Sequence, residues 1–379
     1  MNSTRPRAWR SPPGTARAVS PLLALLLAAG GAQAQSHVTL GGTLDLATRH
    51  VDNGSLGSMN SVVSGANTTS KLVIRGQEDL GAGLSAGFYL DGSILADSGN
   101  SNTPFWDRRA TVSLAHRRFG ELRMGRDWVP SQLTWNALDP FATLGIAGAN
   151  TFRTPFGSRA MGQAFGATST AAAQNPTLRV ANAVEFILPA GLAGFNGALI
   201  ATAGEGGSAG AGQTKGDGFR LGWAQGAWQL GASQFTVRNA AADDDFSDRV
   251  WGVAYDAGFA RLSFGQRRWN YRSDTTTNSL VGLTVPLGAG QFKFSYLRAD
   301  QTGATAALSA NDATLLGIGY VHSLSKRTAL YAHAARLSNQ GGASFAIAGG
   351  PATSGLSTAA NYFGGQRSTG FELGMRQDF

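Results

Sequence analysis

The sequence contains no cysteine, so neither a disulfide framework nor a thiolate metal site holds it together, and its stability must come from the fold itself. Histidine is sparse: His37, His50, His116, His322 and His333 are scattered and match no metal-ligand spacing. Lysine is sparser still, confined to Lys71, Lys215, Lys293 and Lys326. The basic excess therefore rests on dispersed arginines, not on the concentrated patch that nucleic acid requires, and nucleic acid is excluded as a partner. No Pro-rich or charged linker divides the chain, which argues for one folded unit although the length would allow two. Beyond residue 30 no apolar stretch approaches the roughly 20 residues of a membrane-spanning helix. The 52 glycines also disfavour long helices, because an interior Gly costs about 1 kcal/mol against Ala.

The first 34 residues are a separate matter. Arg5, Arg7, Arg10 and Arg17 form a basic leader, Pro21 to Gly30 is a short apolar run, and Ala32-Gln33-Ala34 is a small-residue cleavage signal. This pattern predicts a cleavable signal peptide over 1–34 and a mature chain over 35–379. The leader carries four basic residues and no acid, so its removal halves the net charge from +8 to +4.

What the rest of the chain has is period-two alternation, in segments of about ten residues separated by turn residues. Val38, Leu40, Leu44 and Leu46 fall on one face of the first segment, and Thr39, Thr43, Asp45 and Arg49 on the other. Leu72 and Ile74 alternate with Lys71 and Arg75, Ala110, Val112 and Leu114 with Arg109, Thr111 and Ser113, and Phe292, Phe294 and Tyr296 with Gln291, Lys293 and Ser295. A soluble sandwich also alternates, so secretion and spacing must decide. Tight turns at 79–83, 117–120, 189–194, 256–258, 286–290 and 323–327 take turns with long polar links at 52–68, 97–104, 204–216, 239–247, 301–310 and 338–366. Short connections on one side and long ones on the other are the signature of a transmembrane antiparallel β-barrel, here an all-β fold of about sixteen strands. Many of Trp106, Trp128, Trp223, Trp228, Trp251 and Trp269 fall near inferred strand ends, where aromatic girdles lie, with ordinary packing as the alternative. One link, 129–175, is long and lacks alternation. It is read as a constriction loop folded into the lumen, with an external excursion around Thr168 to Ala173 as the alternative.

Several segments resemble the general porins of betaproteobacteria, over essentially the whole mature length. Val38 to Asp45 is similar to that family's first strand, and Lys71 to Leu84 (KLVIRGQEDLGAGL) to its second strand and first turn. Asp107 to Leu114 and Phe119 to Arg126 resemble the fourth and fifth strands, and Asp139-Pro140-Phe141 the start of the constriction loop. Leu324 to Thr328 with Tyr331 looks like the last periplasmic turn, and Gly374 to Phe379 like the closing strand with its terminal Phe. The resemblance implies a sixteen-stranded trimeric diffusion channel of the Gram-negative outer membrane, in contact with its lipid and lipopolysaccharide. Assembly would use the barrel-assembly machinery through Phe379, and small hydrophilic solutes would pass without any cofactor.

A pore selects by its width and by the charges at its narrowest part. Alternation places Arg49, Arg75 and Arg109 on the polar face, while the family motifs add Arg108 and Arg126, which parity assigns to the lipid-facing set. Asp139 is the only acid between Val129 and Asn175, against Arg153 and Arg159. Wall arginines facing a nearly acid-free loop predict a weak preference for anions. Rival readings are weaker. A substrate-specific channel would need an aromatic slide or a ligand cluster, and neither is evident. A secreted adhesive β-protein predicts a soluble monomer. Gly83-Leu84-Ser85-Ala86-Gly87 matches the G-x-S-x-G pattern of hydrolases, but it follows a tight turn at the start of a strand instead of forming a strand-to-helix elbow, so no catalytic residue is expected.

Overall fold

The structure is a computed structural model, and it describes residues 37–166, 176–204, 213–350 and 365–379. The leader 1–34 and the run Thr168 to Ala173 lie outside the described residues, as do parts of the links at 204–216 and 338–366.

Sixteen long strands follow one another. They are β1 (His37–Asp52), β2 (Lys71–Gly81), β3 (Leu84–Leu95), β4 (Arg109–His116), β5 (Gly120–Trp128), β6 (Arg179–Ile187), β7 (Phe195–Thr202) and β8 (Gly216–Gln225). Then come β9 (Trp228–Arg238), β10 (Asp245–Asp256), β11 (Arg261–Tyr271), β12 (Asp274–Leu287), β13 (Gly290–Thr302), β14 (Ala313–Ser323), β15 (Thr328–Asn339) and β16 (Arg367–Asp378). Each pairs antiparallel with its chain neighbours, and β16 returns to β1 with Thr43 opposite Asp378 and Asp52 opposite Thr369. The result is a closed 16-stranded barrel, which leaves no long unpaired edge. The upper half of β1 extends past β2, and the strand Ser58–Ser64 pairs with it there. At the seam the chain end continues the ladder: the Phe379 amide donates to the Gly42 carbonyl at 3.0 Å and the Gly42 amide to the Phe379 carbonyl at 3.1 Å.

The two faces of the wall follow the alternation. Val38, Leu40, Leu44 and Leu46 are exposed on the outside, as are Val112, Leu114 and Tyr296. Thr43, Asp45, Lys293 and Ser295 are buried on the inside. A surface of this kind is apolar outward because its solvent is lipid. Trp228 and Trp251 also point outward, each 49% exposed, but Trp269 is turned inward and only 1% exposed. Two further connections consist of two residues each, Gly226-Ala227 with Gly226 at φ +58° and Arg272-Ser273 with neither Gly nor Pro. The second lies at the end of the barrel that otherwise bears the long links.

Candidate functional site: the lumen and its inserted loop

The segment between β5 and β6 folds into the barrel. It opens with α1 (Pro130–Leu138), whose first position holds Pro130, where the missing N–H costs nothing. Asp139 ends the helix. Its carboxylate accepts the amides of Phe141 (2.9 Å), Thr143 (3.0 Å) and Ala149 (2.7 Å), folding the following turn around itself. A second helix, α2 (Arg159–Phe165), follows after a 3-10 turn at Ala149–Phe152.

The wall receives this segment on a track of glycines. Gly252 and Gly265 lie opposite each other on the inner face of β10 and β11, and a Cβ on Gly252 would come within 2.3 Å of Leu138 Cδ1. Gly282 faces Pro140, Gly319 faces Phe141, Gly317 faces Ala147, and Gly370 faces Ile146. A strand-interior Gly costs roughly 0.5–1 kcal/mol, and here it lets another backbone come close. Phe141 also packs edge-on against the His333 ring at 5.2 Å. Polar anchors complete the docking: Ser263 Oγ donates to the Leu138 carbonyl at 2.6 Å, Gln301 Nε2 to the Gly157 carbonyl at 3.1 Å, and Arg159 Nε to Asp274 at 2.9 Å. The strongest anchor is buried. Arg267 grips Asp248 through Nε (2.9 Å) and Nη2 (2.6 Å), and donates to Gln132 Oε1 (2.6 Å) and the Thr177 carbonyl (2.8 Å), while Ser131 donates to Asp248 (2.6 Å).

The inserted segment therefore lines the inner face of β9 to β16, where Gly231 faces Thr134, and its α2 shares a buried apolar cluster with Val180, Ala183 and Ile200 of β6 and β7, so the β2 to β5 wall is the side left open. Along β2 to β8 the inward positions carry Lys71, Arg75, Arg108, Arg109, Arg123, Arg179 and Arg220, with Asp91, Glu121, Asp127 and Glu185 among the acids. Asp79 shares the inward parity of Arg75, and Asp107 accepts from the inward Ser93 Oγ at 2.9 Å, so seven cations face six acids. Arg75 is exposed, and no partner is recorded for it among the described residues. Arg109 stacks on Tyr89 at 4.4 Å and meets Asp127 at 3.2 Å. A cavity of about 390 Å³ lies against this wall, lined in part by Arg75, Gln77, Tyr89, Arg109 and Thr111.

The sequence-derived candidates divide accordingly. Arg75 and Arg109 stand on the open wall together. Arg108 precedes the β4 ladder, so parity does not govern it, and it turns inward to Asp91 at 3.0 Å. Arg126 keeps its outward register opposite Ala110, and its guanidinium donates to the Asp107 carbonyl at 2.7 Å. Two candidates need correction. Arg49 is inward, but Glu372 takes both its Nε (3.0 Å) and Nη2 (2.7 Å), and Ala348 accepts from Nη1, so it is a clamp at the seam. Asp139 is 5% exposed and shapes the loop from inside, where burial raises its pKa against the pull of the three amides. It does not line the lumen. Arg123 and Arg220 were legible by parity from Leu122 and Met124 and from Phe219 and Leu221. Arg179, stacked 3.6 Å over Trp128, follows the non-alternating run and gives no such signal. Ser85 of the hydrolase-like pattern points inward, whereas His116 lies opposite Leu84 on the outer face, so no nucleophile–base pair forms.

The model of the Gram-negative porin family matches residues 21–342. The chain belongs to that family. It is 34% identical to Outer membrane porin protein 32 of Delftia acidovorans, over 94% of this chain and 98% of that one. Its fold matches the solved Anion-selective porin from Comamonas acidovorans with a TM-score of 0.73 at 29% identity, covering 91% of this chain and all of that one. OmpT of Vibrio cholerae, solved in a trimer form, shares the fold at a TM-score of 0.59 and 13% identity. This porin is thus a passive channel of the Gram-negative outer membrane, and not an enzyme.

Proposed function

We propose that this porin passes small hydrophilic solutes with a preference for anions, set where the inserted 130–166 segment faces the arginine wall of β2 to β8. The observation that carries the reading is Arg75, exposed and unpaired among the described residues, on a wall where seven inward cations face six acids. The inserted loop's one acid is buried, while its Arg159 is answered by Asp274. A relative of the same architecture is named for anion selectivity. Reversal potentials across planar bilayers under a tenfold KCl gradient test the proposal. A chloride-selective sign is expected, and a clear potassium preference overturns it.

The mature protein is proposed to begin after residue 34 and to assemble as a homotrimer. An outward hollow of about 890 Å³ beside the seam supports the trimer, with small Ala332 and Ala334 between Ile318 and Tyr320 on one side and Phe371 and Leu373 on the other. A second copy is its occupant, as the trimer form of OmpT suggests. Lipopolysaccharide and the barrel-assembly machinery, the latter reading Phe379 at the chain end, complete the proposed partners.

A further inference from the structure

We propose that Arg249 and Arg268 on the outer face of the barrel bind the phosphate of lipopolysaccharide, whose acyl chains lie along the apolar wall below them. The inference rests on the lipopolysaccharide contact proposed above and is independent of ion preference. Arg249 of β10 and Arg268 of β11 stand directly opposite each other in the ladder, and both are exposed. Their parity is that of the lipid-facing Trp251 and Phe264, and the reverse of the inward Asp248 and Arg267.

Directly opposed side chains on one sheet face have Cβ atoms about 4.5–5.5 Å apart, and like charges so placed repel. The arrangement calls for a counter-anion. Among the described residues none is supplied by the chain: Asp243 and Asp244 pair with Arg272, and Asp245 pairs with Arg238. The outward Arg298, by contrast, is answered by Asp300 and Asp312. Two guanidinium groups carried on facing positions suit a phosphate, which accepts forked hydrogen bonds from each.

Position identifies the source of that phosphate. One step along the ladder toward the short turns lies Trp251 opposite Gln266, followed by Val253 opposite Phe264 and Tyr255 opposite Leu262, an apolar and aromatic surface fit for acyl chains. In the other direction the outward residues are Ser247 and Asn270. The arginine pair therefore marks the boundary between hydrocarbon and headgroup. The two-residue link Arg272-Ser273 joins β11 to β12 at this rim, so no long loop arises beside the pair.

The test uses the full-length folded porin in detergent, titrated with diphosphoryl lipid A and followed by native mass spectrometry. Wild type is expected to bind lipid A at least about tenfold more tightly than dephosphorylated lipid A, and R249Q/R268Q to lose that preference. R249K/R268K keeps part of it. Inorganic phosphate at matched concentration should not displace the lipid, since it offers no acyl chain. Equal binding of the two lipids by wild type, equal affinity of wild type and R249Q/R268Q, or displacement by inorganic phosphate overturns the proposal. Because both side chains face away from the lumen, R249Q/R268Q should conduct as wild type does. Unchanged conductance with unchanged lipid binding removes the lipid site and leaves the channel standing, whereas altered conductance refutes the outward placement.

Discussion

Replacing Arg267 with methionine removes the guanidinium that ties the inserted loop to the wall. The side chain is fully buried and makes four hydrogen bonds, two to Asp248 and one each to Gln132 and the Thr177 carbonyl. Methionine fills much of the space but leaves the Asp248 carboxylate buried with Ser131 as its remaining partner. Breaking one side of a buried pair costs about 3–5 kcal/mol, chiefly through the charge left behind. If the cost falls on loop docking, the undocked population rises between about a hundredfold and a few thousandfold. Single-channel recording should then show a larger or flickering conductance, and the midpoint of heat-modifiable unfolding should fall. R267M/D248L, which removes both charges, should recover most of the lost stability. Unchanged conductance, noise and midpoint in R267M would refute the clamp. A double variant worse than the single one would show that the pair itself stabilises, contrary to the reasoning.

Three further outcomes follow from the same geometry. R75Q/R109Q lowers the wall from seven cations against six acids to five against six, and its reversal potential should move toward potassium. Gly252→Leu places a side chain where Leu138 already sits, so it should cost about 1–3 kcal/mol and push α1 into the lumen, lowering conductance. Asp139→Ala leaves the buried amides of Phe141, Thr143 and Ala149 without their acceptor. At about 1–3 kcal/mol for an unsatisfied buried group, the variant should lose at least about 3 kcal/mol, read as a lower unfolding midpoint, and gain channel noise.

The barrel was legible because lipid and water impose opposite chemistry on alternate residues, and ten-residue segments such as Val38 to Leu46 or Arg109 to Leu114 record it directly. The Arg272-Ser273 link was not, since two residues without Gly or Pro carry no turn signal. Within the inserted segment, α1 escaped notice because it is buried on more than one face, and α2 because its one apolar face, Ala160, Met161, Ala164 and Phe165, spans only seven residues. Charge was the hardest part to read. Parity shows that Arg49 points inward, but its partner Glu372 lies 323 positions away, and nothing local distinguishes a clamped arginine from a free one. Asp139 misled for the same reason: an acid on a loop resembles a pore charge until its three amide donors are seen.

The seam between β1 and β16 couples barrel closure to the seating of the loop. Glu372 on the last strand holds Arg49 of the first and the ring of His333, while Gly370 of the same strand rests on Ile146 of the inserted loop. Glu372 keeps its cation through the ladder pairing with Arg49 alone, whereas Gly370 and Gly145 admit the loop only because neither carries a side chain. The strand that closes the barrel is therefore also part of the loop's seat, and a bulky residue at Gly370 is expected to disturb both together.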